Sequence, residues 1–417
     1  MNRIQASLRF PAVAVGLVVT LSPMLAACGS ESEASVSATV RDSAGVRIIE
    51  NSKPQWGSEA TWRFADAPSL DIGVFEGDPE YQLFRVRGAV RLSDGRIVVA
   101  NSGTHELRYF GADGTYEQAT GSEGGGPGEF KRISVLRRSA GDSVITYDSS
   151  NRRVSLFDPA GEFARSFTVE ASQGFAFFRE RLSDGTFVMS SMEFGSGGRD
   201  GRFRDTATWV RHAAEGGVLD TIHRFADMEM FMRQSDGNVM IMGVPFGRST
   251  LAAARGTHLL IGTGETFEIR EYDETGALVG IIRSLRDPIP LTDADIDHYI
   301  RTDIDRTEEE NRSEARKTWK DFPFPDVMMP YANFRMDAAG NLWIEIHEDA
   351  AARTASQYER ASYAAQWHVF DPDGQWLGVV EAPAGFRPTD IGADYVLGTW
   401  LDELDVEHVQ MYELVKS

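Results

Sequence analysis

The side chains able to do chemistry are scattered along this chain. No Gly-x-Ser-x-Gly elbow, P-loop, HExxH or CxxC occurs in its 417 residues. Glu345 and His347 sit two apart in the alternating run Leu342–His347, so they share one strand face. Asp293-Ala294-Asp295-Ile296-Asp297 begins like a calcium loop, but it lacks the turn Gly and distal Glu such a loop needs. Gly121–Gly128 follows a strand and opens no helix, which excludes a dinucleotide loop. Met228, Met230, Met232, Met240 and Met242 form a soft cluster, expected as gap-filling core. The sole cysteine, Cys28, leaves no internal disulfide, so the fold must hold through its core.

The beginning of the chain explains that cysteine. Arg3 and Arg9 give a basic start, and Phe10–Leu21 is mostly apolar but too short and too interrupted by Pro11 and Pro23 to span a bilayer. Leu25-Ala26-Ala27-Cys28 resembles the lipobox of bacterial lipoproteins. That resemblance implies a signal over residues 1–27, lipidation of Cys28, and a tether over residues 28–37. Gly29 after the cysteine implies sorting to the outer membrane, with the protein expected on its periplasmic side. Beyond the signal, 40 basic residues face 63 acidic ones, and this balance argues against nucleic-acid binding.

Residues 38–417 must be positioned by a repeat. An aromatic at a strand end, often Asp, then Gly recurs at Phe110–Gly114, Phe157–Gly161, Tyr272–Gly276 and Phe370–Gly374. A degenerate copy is His212–Gly216, and a truncated one is Tyr412-Glu413. A second Gly turn precedes each copy, and short alternating strands run between the two. The expectation is an all-β, six-bladed β-propeller, with a helical insertion at 286–330 between blades four and five. Asp148, Asn151, Arg153, Val154 and Phe157 resemble an NHL repeat, as does the glycine-rich Gly124–Phe130 linker. The recurring register predicts that Asp148, Asn151 and Arg153 cap turns and tie blades together. Ala60–Ile72 is placed to close the ring with the last strand, and Val40–Glu50 reads as a hairpin packed outside it.

The surplus chain falls in loops between second and third strands (Met192–Phe203, Glu348–Ser362) and in blade crossings (225–247, 286–330). All should crowd one face, over the channel mouth. In 286–330, Thr292 and Asp295 form a capping-box pattern, and Ile296, Tyr299, Ile300 and Ile304 recur at helical spacing. This stripe is expected to lie on the propeller as a partial lid.

The expected function is non-enzymatic binding of an envelope protein, peptide or glycan on the loop-rich face, by a lipid-anchored monomer without a cofactor. The alternative rests on resemblance to gluconolactonase-like and paraoxonase-like propellers, which implies a metal-dependent hydrolase or lactonase holding calcium or zinc in the channel. Asn101, Asp148, Asn333, Arg335, Glu345 and His347 are the candidates near the inner strands. Of these, Asn101, Asn333, Arg335, Glu345 and His347 are the expected ligand-binding set.

Overall fold

Alternating short strands and Asp/Gly turns do produce small, separately hydrogen-bonded sheets. The computed structural model describes residues 37–57, 61–169, 175–192, 200–235, 238–346 and 364–416. Cys28, the signal over 1–27, the tether apart from Ser37, His347 and the loop 348–362 lie outside the described residues, as do residues 193–199.

Sheet one consists of Val86–Arg91, Ile97–Asn101, Glu106–Phe110 and Tyr116–Thr120 in antiparallel order. Five further sheets repeat this plan, starting with Ile133–Arg138, Phe175–Arg181, Leu251–Arg255, Asn333–Met336 and Arg387–Ile391. The repeated turns share one mechanism. The Oδ1 atoms of Asp113, Asp158, Asp273 and Asp371 accept from backbone N–H groups two or four residues on. Gly114, Gly161, Gly276 and Gly374 take φ between 79° and 85°, which a side chain would resist.

The apolar residues pack between neighbouring sheets. Val98 and Tyr109 of sheet one meet Ile133, Val144 and Phe157 of sheet two in a single cluster. First strands pack against first strands from sheet to sheet, except between sheets two and three, which meet through Tyr147 and Val154 against Phe178 and Phe187. The circuit closes where Thr389 Oγ1 donates to Ala89 O at 2.8 Å and Arg91 N–H donates to Asp390 Oδ2 at 2.9 Å. The arrangement is β-propeller-like.

The expected closure by the N-terminal segment is present. Trp62–Phe64 and Leu70–Ile72 both pair with the final strand, Glu407–Lys416. The hairpin of Ala38–Ser43 and Val46–Asn51 does more than pack outside, because its second strand pairs in parallel with Leu278–Ser284 at the edge of sheet four. Asn51 locks it there, donating to Gly374 O at 3.0 Å and accepting from Trp376 N–H at 2.8 Å.

Helices α1 (Asp293–Arg306) and α2 (Arg312–Trp319) lie between sheets four and five in sequence. Thr292 and Asp295 form the reciprocal capping box. The lid expectation is corrected by where the stripe lies. Tyr299, Ile300 and Ile304 pack with Trp319, Phe322 and Phe231. Phe231 belongs to a small sheet formed by Gly201–Phe203, Met230–Ser235 and Asn238–Gly243. That sheet presents Phe231, Met240 and Met242 to the helices, and their apolar area is what the stripe covers.

Candidate functional site

Turn residues of sheets one and two set the position of a cavity. Asp148, at the end of a second strand, uses both carboxylate oxygens. Oδ2 accepts from the backbone N–H groups of Lys131 and Arg132, and Oδ1 from those of Ser150 and Asn151. Asn151 Nδ2 donates to Gly124 O at 3.0 Å, and Arg153 donates to Gly125 O at 2.7 Å and to Glu129 O. These residues tie the crossing before sheet two to the turn beside it, as their register predicts. Asn101 does the same in sheet one, accepting from Phe84 N–H at 2.7 Å and donating to Thr104 Oγ1 at 2.9 Å.

The crossings and turns so fixed surround two adjoining cavities. The larger, about 760 Å³, begins where the first strands of sheets one to three begin. Val135, Tyr147, Ala176, Phe177, Phe178, Met192, Met228 and Met230 give it a largely apolar wall. Burial pushes the Tyr147 hydroxyl up to about 12, and it donates to Ala176 O at 2.9 Å. Phe177 and Met228 are more than a third exposed, so the wall opens to solvent.

The smaller cavity, about 520 Å³, is polar and basic. Arg85, Arg87, His105, Lys131 and Arg132 line it, with Ser102, Gly103 and Ser150. Arg87, Arg132 and Ser150 line both, and Arg152 lines the larger one. Arg85, His105 and Arg152 have φ of 55°, 62° and 49°. Left-handed backbone costs an ordinary residue about 1–2 kcal/mol. The side chains of Arg85, Arg87, Lys131, Arg132 and Arg152 make no hydrogen bond or ion pair among the described residues.

The expected site residues divide differently. Asn333 and Glu345 are cross-strand partners in sheet five, and Arg335 donates to Asn333 Oδ1 at 2.8 Å and to Pro388 O at 3.1 Å. Burial, then the nearby Arg137, pushes the Arg335 guanidinium down to about 10. Glu180 stands 4.0 Å from Arg137, and its carboxyl is raised by burial, with Arg137 opposing. Asn333, Arg335 and Glu345 are therefore brought together, beside charges from other first strands. Asn101 is not among them, because its side chain is engaged in its own turn, and His347 lies outside the described residues.

The cavity residues were missed in the sequence, although a signal existed. Arg85 and Arg87 precede or begin one first strand, and Lys131 and Arg132 precede the next. His105 and Arg152 stand just before the third strands of their sheets. Superposing the first two repeat copies pairs Arg85 with Arg132 and His105 with Arg152, while Arg87 and Lys131 have no basic counterpart. The methionine expectation holds only in part: Met240 and Met242 pack as core, whereas Met228 and Met230 line the cavity.

The fold and site describe a β-propeller-like protein, and comparison with solved structures bears on the fold alone. A DUF4221 family member from Bacteroides vulgatus shares 9% identity at TM-score 0.50, over 86% of this chain and 99% of that one. A Bacteroides fragilis protein described as exported shares 12% at TM-score 0.48, over 89% and 100%. The calcium-binding protein regucalcin from Agrobacterium tumefaciens shares 13% at TM-score 0.36, over 85% and 96%. No sequence-family model matches the chain, and no curated protein matches it. No described helix is long and apolar enough to cross a membrane.

Proposed function

We propose that this chain is a six-bladed β-propeller, held at the cell envelope through Cys28, that binds a ligand without catalysis on its loop-rich face. The helices between sheets four and five are then an insertion between blades. The observation that carries this reading is the apolar cavity of about 760 Å³, lined from first strands, a crossing and second-to-third-strand turns. A volume of roughly 300–1,000 Å³ with an apolar wall and a few convergent polar groups suits a small ligand. A metal-dependent hydrolase is less well supported by the residues in place. Asn101 and Asp148 spend their oxygens on backbone N–H groups, and no three His, Cys, Asp or Glu residues gather as metal ligands among the described residues.

Nile red, a neutral apolar dye, tests the reading. One dye should bind per chain, and Ser150→Trp, at the junction of the two cavities, should abolish binding while leaving the thermal transition within a few degrees. Absence of dye binding, or binding unchanged in Ser150→Trp, would overturn the proposal.

A further inference from the structure

The joined cavities differ in chemistry along their length, and this difference narrows the ligand. The protein carries 63 acidic residues against 42 basic, yet Arg85, Arg87, Lys131, Arg132 and Arg152 converge on one mouth. Like charges so placed repel one another, and the one described carboxylate that offsets any of them is Glu407, which attracts Arg87 while its Oε2 accepts from Val86 N–H at 2.8 Å. The other nearby acids are committed elsewhere. Asp148 is consumed by backbone N–H groups, Glu129 accepts from Gly126 N–H at 2.7 Å, and Glu106 pairs with Arg108 at 3.1 Å. An anion is the group that would relieve this repulsion, and guanidinium groups suit carboxylate or phosphate because they can donate two parallel hydrogen bonds.

The anion cannot be the whole ligand. Arg87 and Arg132 border the basic cavity and also the wall of Val135, Phe177, Phe178, Met192, Met228 and Met230. A ligand whose head lies among the cations therefore has its body against apolar side chains. Methionines line part of that wall, and their unbranched, polarisable side chains adapt to a flexible chain better than to one rigid shape.

We infer that the ligand is a single-chain anionic amphiphile, with a carboxylate or phosphate head among Arg85, Arg87, Lys131 and Arg132 and its alkyl body along Phe177 and Met228. This rests on the reading that the large cavity is the binding site, so the two are tested in sequence. With Nile red bound, dodecanoate, dodecyl phosphate, dodecanol and dodecyltrimethylammonium are added as competitors below their micellar concentrations.

One or both anions should displace the dye at concentrations about tenfold or more below those of dodecanol and the cationic amphiphile, a preference worth one decade of affinity. Whichever anion is the stronger identifies the head group. Raising salt from about 50 to about 500 mM should weaken the anions and spare dodecanol, because exposed charges are screened. Arg85→Gln combined with Lys131→Gln, both of which line the basic cavity and not the apolar one, should bring anion and alcohol within about threefold while Nile red still binds. Equal competition by dodecanol, preference retained in the double variant, or inorganic phosphate matching dodecyl phosphate would overturn the inference. Loss of dye binding by the unaltered protein would instead defeat the earlier reading.

Discussion

Asp148 shows how one buried carboxylate can set a site without entering it. It receives four backbone N–H groups, from Lys131, Arg132, Ser150 and Asn151, at 2.6–3.2 Å. Three of those residues line the cavities. Asp148→Ala should leave these donors unpaired and lower unfolding free energy by roughly 2–4 kcal/mol, since each buried unsatisfied group costs about 1–3 kcal/mol. Urea unfolding would measure it. Asp148→Asn, which keeps one carbonyl oxygen, should cost less. The role of Asp148 was legible in the sequence because its register with Asn151 and Arg153 marks a turn. The basic rim was not, because a surface arginine needs no local pattern, and convergence of Arg87 with Arg132 depends on how two sheets meet.

The strand Leu70–Ile72 is held to Glu407–Lys416 partly by a titrating pair. Asp71 Oδ1 lies 2.7 Å from His408 Nδ1, and Gln410 Nε2 donates to Asp71 Oδ2 at 2.9 Å. The hydrogen bond to Asp71 raises His408 above the usual histidine value, although burial opposes it. A raised folded-state pKa means the stabilisation is fully present below the unfolded value of about 6.5 and is lost as pH rises through the folded value. Stability measured by thermal unfolding should therefore contain a component that declines as pH rises above the unfolded value of about 6.5. His408→Gln should remove that slope, and a slope unchanged in the variant would exclude this pair as its source. Among elements, α1 was readable because capping and 3.6-residue spacing are local signals. The strands Met230–Ser235 and Asn238–Gly243 read instead as a crossing. Asp236-Gly237 between them is a local hairpin signal that reading 225–247 as a crossing passes over. Their covering helices begin about fifty residues further on, so nothing local announces that packing.

Closing a circuit of sheets with chain from both ends makes whole-molecule stability depend on a few residues far apart in sequence. Ile72 and Leu70 are buried against Val409 and Leu397 of the last sheet and Ile97 and Phe110 of the first. The strand-like run Ala60–Ile72, lying ahead of the first repeat copy, made this closure legible in the sequence. Ile72→Asp would place an unpaired charge where the side chain is 1% exposed, a change of the class that costs several kcal/mol. Its larger consequence follows from topology: detaching Leu70–Ile72 uncovers an edge of Glu407–Lys416, and an open edge pairs with other chains. The variant should melt at lower temperature and sediment as larger species with rising protein concentration. Val40→Asp, on the outer hairpin strand at 53% exposure, should change stability by no more than about 0.5 kcal/mol and stay monodisperse. If Ile72→Asp melts early but remains monodisperse at all concentrations, Trp62–Phe64 alone suffices to shield the final strand.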